Sequence, residues 1–481
     1  MHVRRAAVFS TMKASRKWMV RGIGVITLAG VATTLYFLWN LVLVGAAYKA
    51  KMLCSGVFVS RSDPRSVLAS DLLTDDHSSL QYIGARVNYG SQFVAATLWG
   101  MAEQRALYHP DIGCVLMHGG SESPFQLPAR PTCTTAPLTE PDRPWPLGER
   151  VNTHLLPSGV DAAKLGEAID SAFSEPGPVP ARRTRAVVVV YQGRIVAERY
   201  APGFTPDTPL LGWSMTKSVI NALTGILVRA GKLSVQDRAP VPEWQATGDP
   251  RRNITLDHLL RMTSGLAFEE NYTNPLKDVS RMLLATPDMA AYAASKPLVA
   301  EPGSRWHYSS GTTNIIARIL RRTVGGTEAD YLAFPRRMLF DRIGMRSAVI
   351  EPDTSGTFVG SSFMYATGRD WARFGLLYQQ DGVWKGVRVL PVGWVEYSRT
   401  PTPASPGGAY GAHFWLALRP GFRGSADALP PDAFHAIGHE GQFVTIIPSR
   451  NLVLVRLGLT QDRGAWDHEG FVRQVLEAIT G

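Results

Sequence analysis

The stretch that most constrains this chain is GIGVITLAGVATTLYFLWNLVLVGAAY, the 27 residues from Gly22 to Tyr48, which contain no charge. About 20 apolar residues suffice for a helix to cross a bilayer. The apolar core of a cleaved signal peptide is shorter, about 7–15 residues. The stretch therefore predicts an uncleaved membrane anchor over residues 22–48, with cleavage near Ala46 and Ala47 as the alternative.

Basic residues flank this stretch unevenly, with six before it and two closely after it. The positive-inside rule then places the basic tail, residues 1–21, in the cytoplasm and everything beyond the anchor on the far side. In a Gram-negative bacterium, this predicts a single-pass protein of the inner (cytoplasmic) membrane whose main domain faces the periplasm. Nine cations precede the first acidic residue, Asp63, and account for nearly all of the net charge of +10. This excess of positive charge at the N-terminus therefore does not indicate a nucleic-acid partner.

The chain has three cysteines, Cys54, Cys114 and Cys133. An oxidising compartment would allow one disulfide among the three possible pairings, of which Cys114 with Cys133 is the most local. Buried free thiols are the alternative. The absence of a Cys-x-x-Cys pattern speaks against zinc or thioredoxin-type chemistry.

Residues 49–150 are predicted to form an N-terminal extension that ends in a proline-rich connector. Seven prolines between residues 124 and 146 exclude regular structure there. The earlier stretch SQFVAATLWGMAEQRALY, residues 91–108, has a helical appearance. Because the extension is too short for a sizeable domain of its own, we expect it to pack against the larger unit, residues 151–481.

Residues 151–481 contain two hairpin signals, AVVVVYQGRIVAERY and QFVTIIPSRNLVLVRLG, near opposite ends of the unit. Helical patterns lie between them at 214–230 and 312–323, and EGFVRQVLEAIT predicts a final helix. This order indicates an α/β (α+β) fold, in which an antiparallel sheet is flanked by helices and interrupted by an inserted helical subdomain.

Ser214 and Lys217 form a Ser-x-x-Lys motif at the start of the first of these helices. On a helix both side chains project from one face, so the amine can reach the hydroxyl. Burial would lower the pKa of the lysine until it can accept the serine proton. The motif alone is more often a capping serine beside a surface lysine, and residues 10–13 repeat the spacing in the basic tail.

Five segments, in the order in which they occur, favour a catalytic role for Ser214 and Lys217 over a capping role. They are SMTKSV, LDHLLRMTSGL, EPGSRWHYSSGTTNIIARIL, YATGRDWARFGLLYQQDGVW and GHEGQ. Together they resemble the serine β-lactamase and penicillin-binding superfamily. The likeness is greatest to its class C-like group of esterases, D-aminopeptidases and 6-aminohexanoate-dimer hydrolases. The resemblance implies a β-lactamase/transpeptidase-like fold with Ser214 as nucleophile and Lys217 beside it.

The resemblance also implies roles for two tyrosines. Tyr308 stands where the family has the tyrosine of Tyr-x-Asn, and a phenolate there would act as general base toward Ser214. Ser310 replaces the asparagine and is expected to alter contacts with the substrate. Tyr272 opens a literal Tyr-x-Asn, but it resembles a pocket tyrosine of the 6-aminohexanoate-dimer hydrolases and is assigned to substrate binding.

His439, Glu440 and Gly441 stand where β-lactamases usually carry Lys-Thr-Gly. Gly441 would let the substrate approach the backbone. The N–H groups of Gln442 and Ser214 would form the oxyanion hole. A histidine at position 439 lacks the permanent charge of lysine, which disfavours penicillin hydrolysis and favours an esterase or amidase.

Two other chemistries fit the sequence less well. His435 and His439 have a zinc-binding spacing on a helix, but glycines at 438 and 441 make a helix improbable there. An α/β-hydrolase requires Gly-x-Ser-x-Gly, which the residues around Ser214 do not match. No metal or other cofactor is expected.

The sequence thus predicts a membrane-anchored serine hydrolase that cleaves an ester or amide through an acyl-enzyme on Ser214. Its partners would be a small-molecule or peptide-like acyl substrate and the membrane itself. A penicillin-binding DD-peptidase, a β-lactamase or an acylated sensor without turnover are the alternatives. The acyl group and the oligomeric state are not encoded in any pattern we find.

Overall fold

The computed structural model describes residues 3–72, 75–118, 142–153, 156–175, 177, 181–272, 274–418 and 429–479. The α helices are α1 Val3–Cys54, α2 Pro64–Val67, α3 Ala162–Phe173, α4 Met215–Arg229, α5 Leu256–Leu260, α6 Asp278–Ala285, α7 Met289–Ala294, α8 Ser310–Val324, α9 Glu328–Pro335, α10 Asp341–Ile343, α11 Gly368–Gln379, α12 Trp394–Arg399 and α13 His468–Glu477. The strands are β1 Gly84–Asn88, β2 Phe93–Leu98, β3 Met101–His109, β4 Gly113–Met117, β5 Thr184–Tyr191, β6 Arg194–Tyr200, β7 Leu210–Leu211, β8 Val349–Ile350, β9 Met364–Ala366, β10 Val383–Trp384, β11 Val387–Arg388, β12 Phe434–Gly438, β13 Gln442–Ile447 and β14 Leu452–Gly458.

The main sheet joins both predicted hairpins in the strand order β12-β13-β14-β5-β6, with every neighbouring pair antiparallel. Strands β14 and β5, far apart in the chain, pair with Val453 opposite Val190. The turn between β5 and β6 places Gln192 and Gly193 at φ of 49° and 73°. That left-handed pair matches the twist of a tight hairpin. The predicted fold is confirmed.

Strand β5 shows why the sheet needs helices on both faces. Val188 and Val190 belong to one buried cluster, while Val187 and Val189 belong to another. Because successive side chains of a strand point to opposite faces, β5 is apolar on both sides. Helices α3 and α13 cover one face, and α11 packs against the other. The inserted helical subdomain, which includes α5 to α9, continues the core on the α11 side.

Helix α1 changes environment along its length. Side chains from Ile23 to Trp39 are exposed, and from Val44 onward most are buried. Its apolar part is long enough, by length and composition, to cross a membrane, as a signal anchor or a membrane span would. The helix does not end at Tyr48 but continues to Cys54, so its last turns belong to the folded extension.

The extension forms an antiparallel sheet in the order β1-β2-β3-β4, against which α1 packs. The helical appearance of residues 91–108 is therefore misleading, because they form β2 and β3. Trp99 and Gly100 make the turn between these strands with φ of 50° and 81°. This left-handed pair stops any helix, and glycine adopts it readily.

Cys54 and Cys114 form a disulfide that fastens the end of α1 to β4. Cys133 and most of the proline-rich connector fall within residues 119–141, outside the described part of the chain. The most local pairing considered from the sequence, Cys114 with Cys133, is therefore not the one in the structure.

A second attachment joins the extension to the main domain. Glu351, fully buried next to β8, forms an ion pair with Lys51 of α1. The same carboxylate accepts hydrogen bonds from Ser55 Oγ at 2.8 Å and the Cys114 N–H at 2.7 Å. One carboxylate of the main domain thus binds the end of α1 and the start of β4 together.

Candidate active site

Ser214 directly precedes α4, and the close packing around it explains the local sequence. A Cβ on Gly212 would lie 2.3 Å from the Trp371 ring, so only glycine fits there. The Ser214 side chain makes no capping hydrogen bond to its helix. It instead receives a hydrogen bond from Lys217 Nζ at 3.0 Å. The alternative interpretation, in which the Ser214 side chain caps the helix, is therefore wrong.

Lys217 is 1% exposed, so it is not a surface lysine. Besides Ser214, its amine donates to Ser310 Oγ at 3.1 Å and to the Ser361 carbonyl at 2.9 Å. Burial lowers the pKa of Lys217 to about 8, partly opposed by the negative charge of Glu270. With that pKa, about a tenth of the amine is neutral at pH 7 and able to accept a proton.

Glu270 is a site residue that the sequence analysis missed. Its carboxylate accepts from Ser310 Oγ at 2.5 Å and from the Ser310 N–H at 2.8 Å, at the start of α8. Ser310 is fully buried between Lys217 and Glu270, so it orients the amine and does not offer its hydroxyl to a substrate. The sequence feature that could have identified Glu270 is an acidic residue close after the apolar segment LAF, residues 266–268.

The centre of the Tyr308 ring lies 4.9 Å from Lys217 Nζ. Burial and the charge of Glu270 raise the pKa of Tyr308, and a hydrogen bond with Ser214 opposes them only in part. A raised pKa favours the protonated phenol over the phenolate near neutral pH. Of the two groups, the amine is the one suited to receive the Ser214 proton.

The turn between β12 and β13 contains His439, Glu440 and Gly441. The indole N–H of Trp213 donates to Glu440 Oε2 at 3.0 Å, which ties this turn to the residue before Ser214. Gly441 has φ +80°, and a Cβ there would lie 2.3 Å from Arg456 Nη1. The backbone of the turn is thus held next to the start of α4.

The Gln442 side chain is used inside the protein and not toward a ligand. Its amide donates to the carbonyls of His439, Glu440 and Gly458 at 2.6–3.1 Å. These bonds fix the first residue of β13, and with it the direction of its backbone. A rigid backbone is what an oxyanion donor requires.

Tyr272 and His439 form an aromatic layer beside the serine. Their rings stack 5.0 Å apart at 13°, and His439 meets Trp213 edge-on at 5.6 Å. The Tyr272 hydroxyl lies 3.3 Å from Glu270 Oε1. The residues predicted for catalysis and binding therefore converge, although they come from four distant segments.

The zinc alternative finds no support in the geometry. His435 lies in β12, where its Nδ1 is 2.9 Å from Thr445 Oγ1. Within the described ranges, no group of three or more His, Cys, Asp or Glu side chains is arranged to hold a metal ion.

Comparison with known proteins identifies a family and a relative for this chain. The Beta-lactamase family profile matches residues 176–470. A 6-aminohexanoate-dimer hydrolase from Paenarthrobacter ureafaciens is 26% identical over 58% of this chain and 73% of its own length.

Solved structures show the same fold. A penicillin-binding protein homologue from Caulobacter crescentus superposes with a TM-score of 0.51 at 17% identity, over 66% of this chain and 97% of its own. A Bacillus anthracis protein, whose description proposes a 6-aminohexanoate-dimer hydrolase, gives 0.50 at 21% identity, over 71% and 88%.

The fold, the serine and the relatives together define a β-lactamase-related serine hydrolase. The chain belongs to the Beta-lactamase family, whose profile matches more than half of its length.

Proposed function

We propose that this hydrolase cleaves an ester or amide through an acyl-enzyme on Ser214. The observation that carries the proposal is the desolvated amine of Lys217, 3.0 Å from Ser214 Oγ. The neutral amine takes the serine proton while the oxygen attacks the substrate carbonyl. The Tyr308 phenol relays a proton to the leaving group, and the amine restores it. Water then hydrolyses the acyl-enzyme by the same route.

The oxyanion of each tetrahedral intermediate would be bound by the N–H groups of Ser214 and Gln442. The first lies at the N-terminal end of α4, and the second is held in place by the Gln442 side-chain amide. Loss of one such donor typically costs about 3 kcal/mol of transition-state stabilisation.

An acyclic ester or amide suits this site better than a penicillin. His439, stacked on Tyr272, provides an aromatic surface where a β-lactamase lysine would provide a permanent cation for a carboxylate. The relative from Paenarthrobacter ureafaciens is named for an amide dimer of 6-aminohexanoate. Membership of the class C-like group of esterases and amidases is part of this proposal.

The catalytic domain would face the periplasmic side of the inner membrane, with α1 as its single-pass anchor. The cations before the apolar stretch support this orientation. The Cys54–Cys114 disulfide supports it independently, because disulfides persist in oxidising compartments.

Labelling of the intact protein with a fluorophosphonate tests the proposal. We expect one covalent adduct, located at Ser214 by mass spectrometry. Ser55 and Ser310 also accept hydrogen bonds from buried lysine amines, but both are fully buried, whereas Ser214 is partly exposed. Ser214→Ala should abolish the adduct. Ser10→Ala is the matched control, because Ser10 has the same spacing to Lys13 and should change nothing. An adduct at another serine would refute the assignment.

The pH dependence of kcat/KM should follow Lys217. Because its pKa is about 8 and the neutral amine is the base, kcat/KM should rise with pH up to about 8 and level off above it. Each pH unit below the inflection should cost about tenfold. The measurement needs an ester without titratable groups, assayed from pH 6 to 10.

Two variants decide which group titrates. Glu270→Gln should move the inflection to lower pH, because it removes the charge that raises the pKa of Lys217. His439→Gln should leave the inflection in place, although histidines commonly titrate near neutral pH. Loss of the inflection in His439→Gln would contradict the assignment to Lys217.

A further inference from the structure

A large apolar cavity lies between α1, the extension and the main domain. Its volume is about 910 Å³, toward the upper end of typical ligand pockets, about 300–1,000 Å³. Val42 and Leu98 line one wall, and Leu283 and Leu284 of α6 line the other. Among the described residues that line it, none is Asp, Glu, Lys or Arg. The cavity therefore suits an uncharged, apolar ligand.

The inner end of the cavity is bordered by three aromatic side chains next to the active site. Trp213, Tyr272 and His439 line it, and these are the side chains of the aromatic layer beside Ser214. The wall formed by α1 and the extension lies before residue 176, outside the part that matches the family profile. One apolar wall beside the candidate site therefore comes from a part of the chain that the family profile does not match.

The outer end of the cavity lies where the side chains of α1 change from exposed to buried, near Val42. Gly22 to Val42 spans 20 residue steps, or about 30 Å of helix, which equals the hydrocarbon thickness of a bilayer. Val42 would then lie at the membrane surface, and it lines the cavity. Tyr82 and Trp99 line it too and are 64% and 80% exposed. Exposed aromatic residues are typical of the membrane interface.

We propose that the substrate is a membrane-borne ester with a long acyl chain, which enters the cavity from the bilayer and presents its carbonyl to Ser214. This inference rests on the proposed acyl-enzyme chemistry and names its substrate class. The chain would remain in the cavity while the acyl group is bound to Ser214. The released alcohol would leave, and the attacking water would enter, on the side of the site away from the apolar cavity.

A chain already dissolved in lipid gains little by moving into an equally apolar cavity. The cavity instead allows the ester to leave the bilayer without exposing its methylenes to water, which would cost about 0.8 kcal/mol each. The cavity therefore selects for chains that fill it, and a short acyl group gains nothing from it.

The test uses the full-length protein in phosphatidylcholine vesicles with p-nitrophenyl octanoate and p-nitrophenyl acetate. Leu284→Trp and Val42→Trp fill the cavity from opposite walls. Each should lower the ratio of octanoyl to acetyl kcat/KM by about tenfold, roughly the effect of leaving two methylenes in water. Val392→Trp, at a position 81% exposed and outside the cavity lining, is the matched control and should keep the ratio.

Acetate hydrolysis shows whether each variant is folded. An unchanged ratio in both cavity variants, with hydrolysis still dependent on Ser214, would refute the acyl-chain site and leave the proposed function intact. Hydrolysis that survives Ser214→Ala would instead refute the proposed function. With a long-chain ester that exchanges slowly between vesicles, hydrolysis should be much faster when enzyme and ester share the same vesicles than when they are in separate vesicles. Equal rates in the two arrangements would refute entry from the membrane.

Discussion

Replacing Lys217 with methionine is expected to lower kcat/KM for an activated ester by about 10³-fold. General-base catalysis typically contributes 10²–10⁴-fold, and here the amine also orients the nucleophile through a 3.0 Å hydrogen bond. Methionine fills a similar volume without charge, so the buried site should stay packed. Steady-state kinetics at pH 9, where most of the wild-type amine is neutral, measures the full difference.

The matched control is Lys232→Met, just beyond the end of the same helix. Lys232 is exposed, and its replacement should leave kcat/KM within twofold of wild type, on the order of a surface change. A Lys217→Met enzyme with more than a tenth of wild-type activity would show that another group accepts the serine proton.

Replacing Lys51 with methionine should destabilise the protein by about 3–5 kcal/mol. The substitution leaves Glu351 buried without its cation, and removal of one partner of a buried ion pair typically costs that much. Ser55 and the Cys114 N–H still bond the carboxylate but carry no charge. Thermal unfolding of the full chain in detergent would report the loss as a lower midpoint.

Two comparisons make this result specific. Adding Glu351→Gln to Lys51→Met should recover part of the loss, because it removes the uncompensated charge. Breaking the exposed Arg388–Asp381 pair with Arg388→Met should cost less than about 1 kcal/mol. Equal losses from the buried and the exposed pair would contradict the role given to Glu351.

Local patterns predicted much of the main domain. The two hairpins carry apolar β-rich runs around Gln192-Gly193 and Pro448–Asn451, and both formed where expected. The helix after Ser214 also begins and ends close to its predicted bounds. These elements are predictable because their signals lie within a few neighbouring residues.

Features set by contacts between distant segments were not predictable. The sequence of β3 looks helical by itself. Its pairing with β2 and the Trp99–Gly100 turn, which make it a strand, are seen only in the structure. The raised pKa of Tyr308 depends on its burial and on Glu270, which reaches the site from a separate loop. The partner of Cys54 follows from the packing of α1 on the extension. None of these contacts can be inferred from the spacing of the residues along the chain.

The continuity of α1 has a mechanical consequence. Its exposed apolar part and its buried last turns form one unbroken helix, which the disulfide and Lys51 fasten to the rest of the fold. An enzyme on a flexible tether can sample many heights and tilts above a bilayer. Here α1 is continuous through that junction, so with α1 in a membrane, as proposed, the tilt of one helix would set the distance from Ser214 to the lipid surface. The reach of the enzyme would then be a fixed length, and bonds buried deeper or carried farther out would lie beyond it.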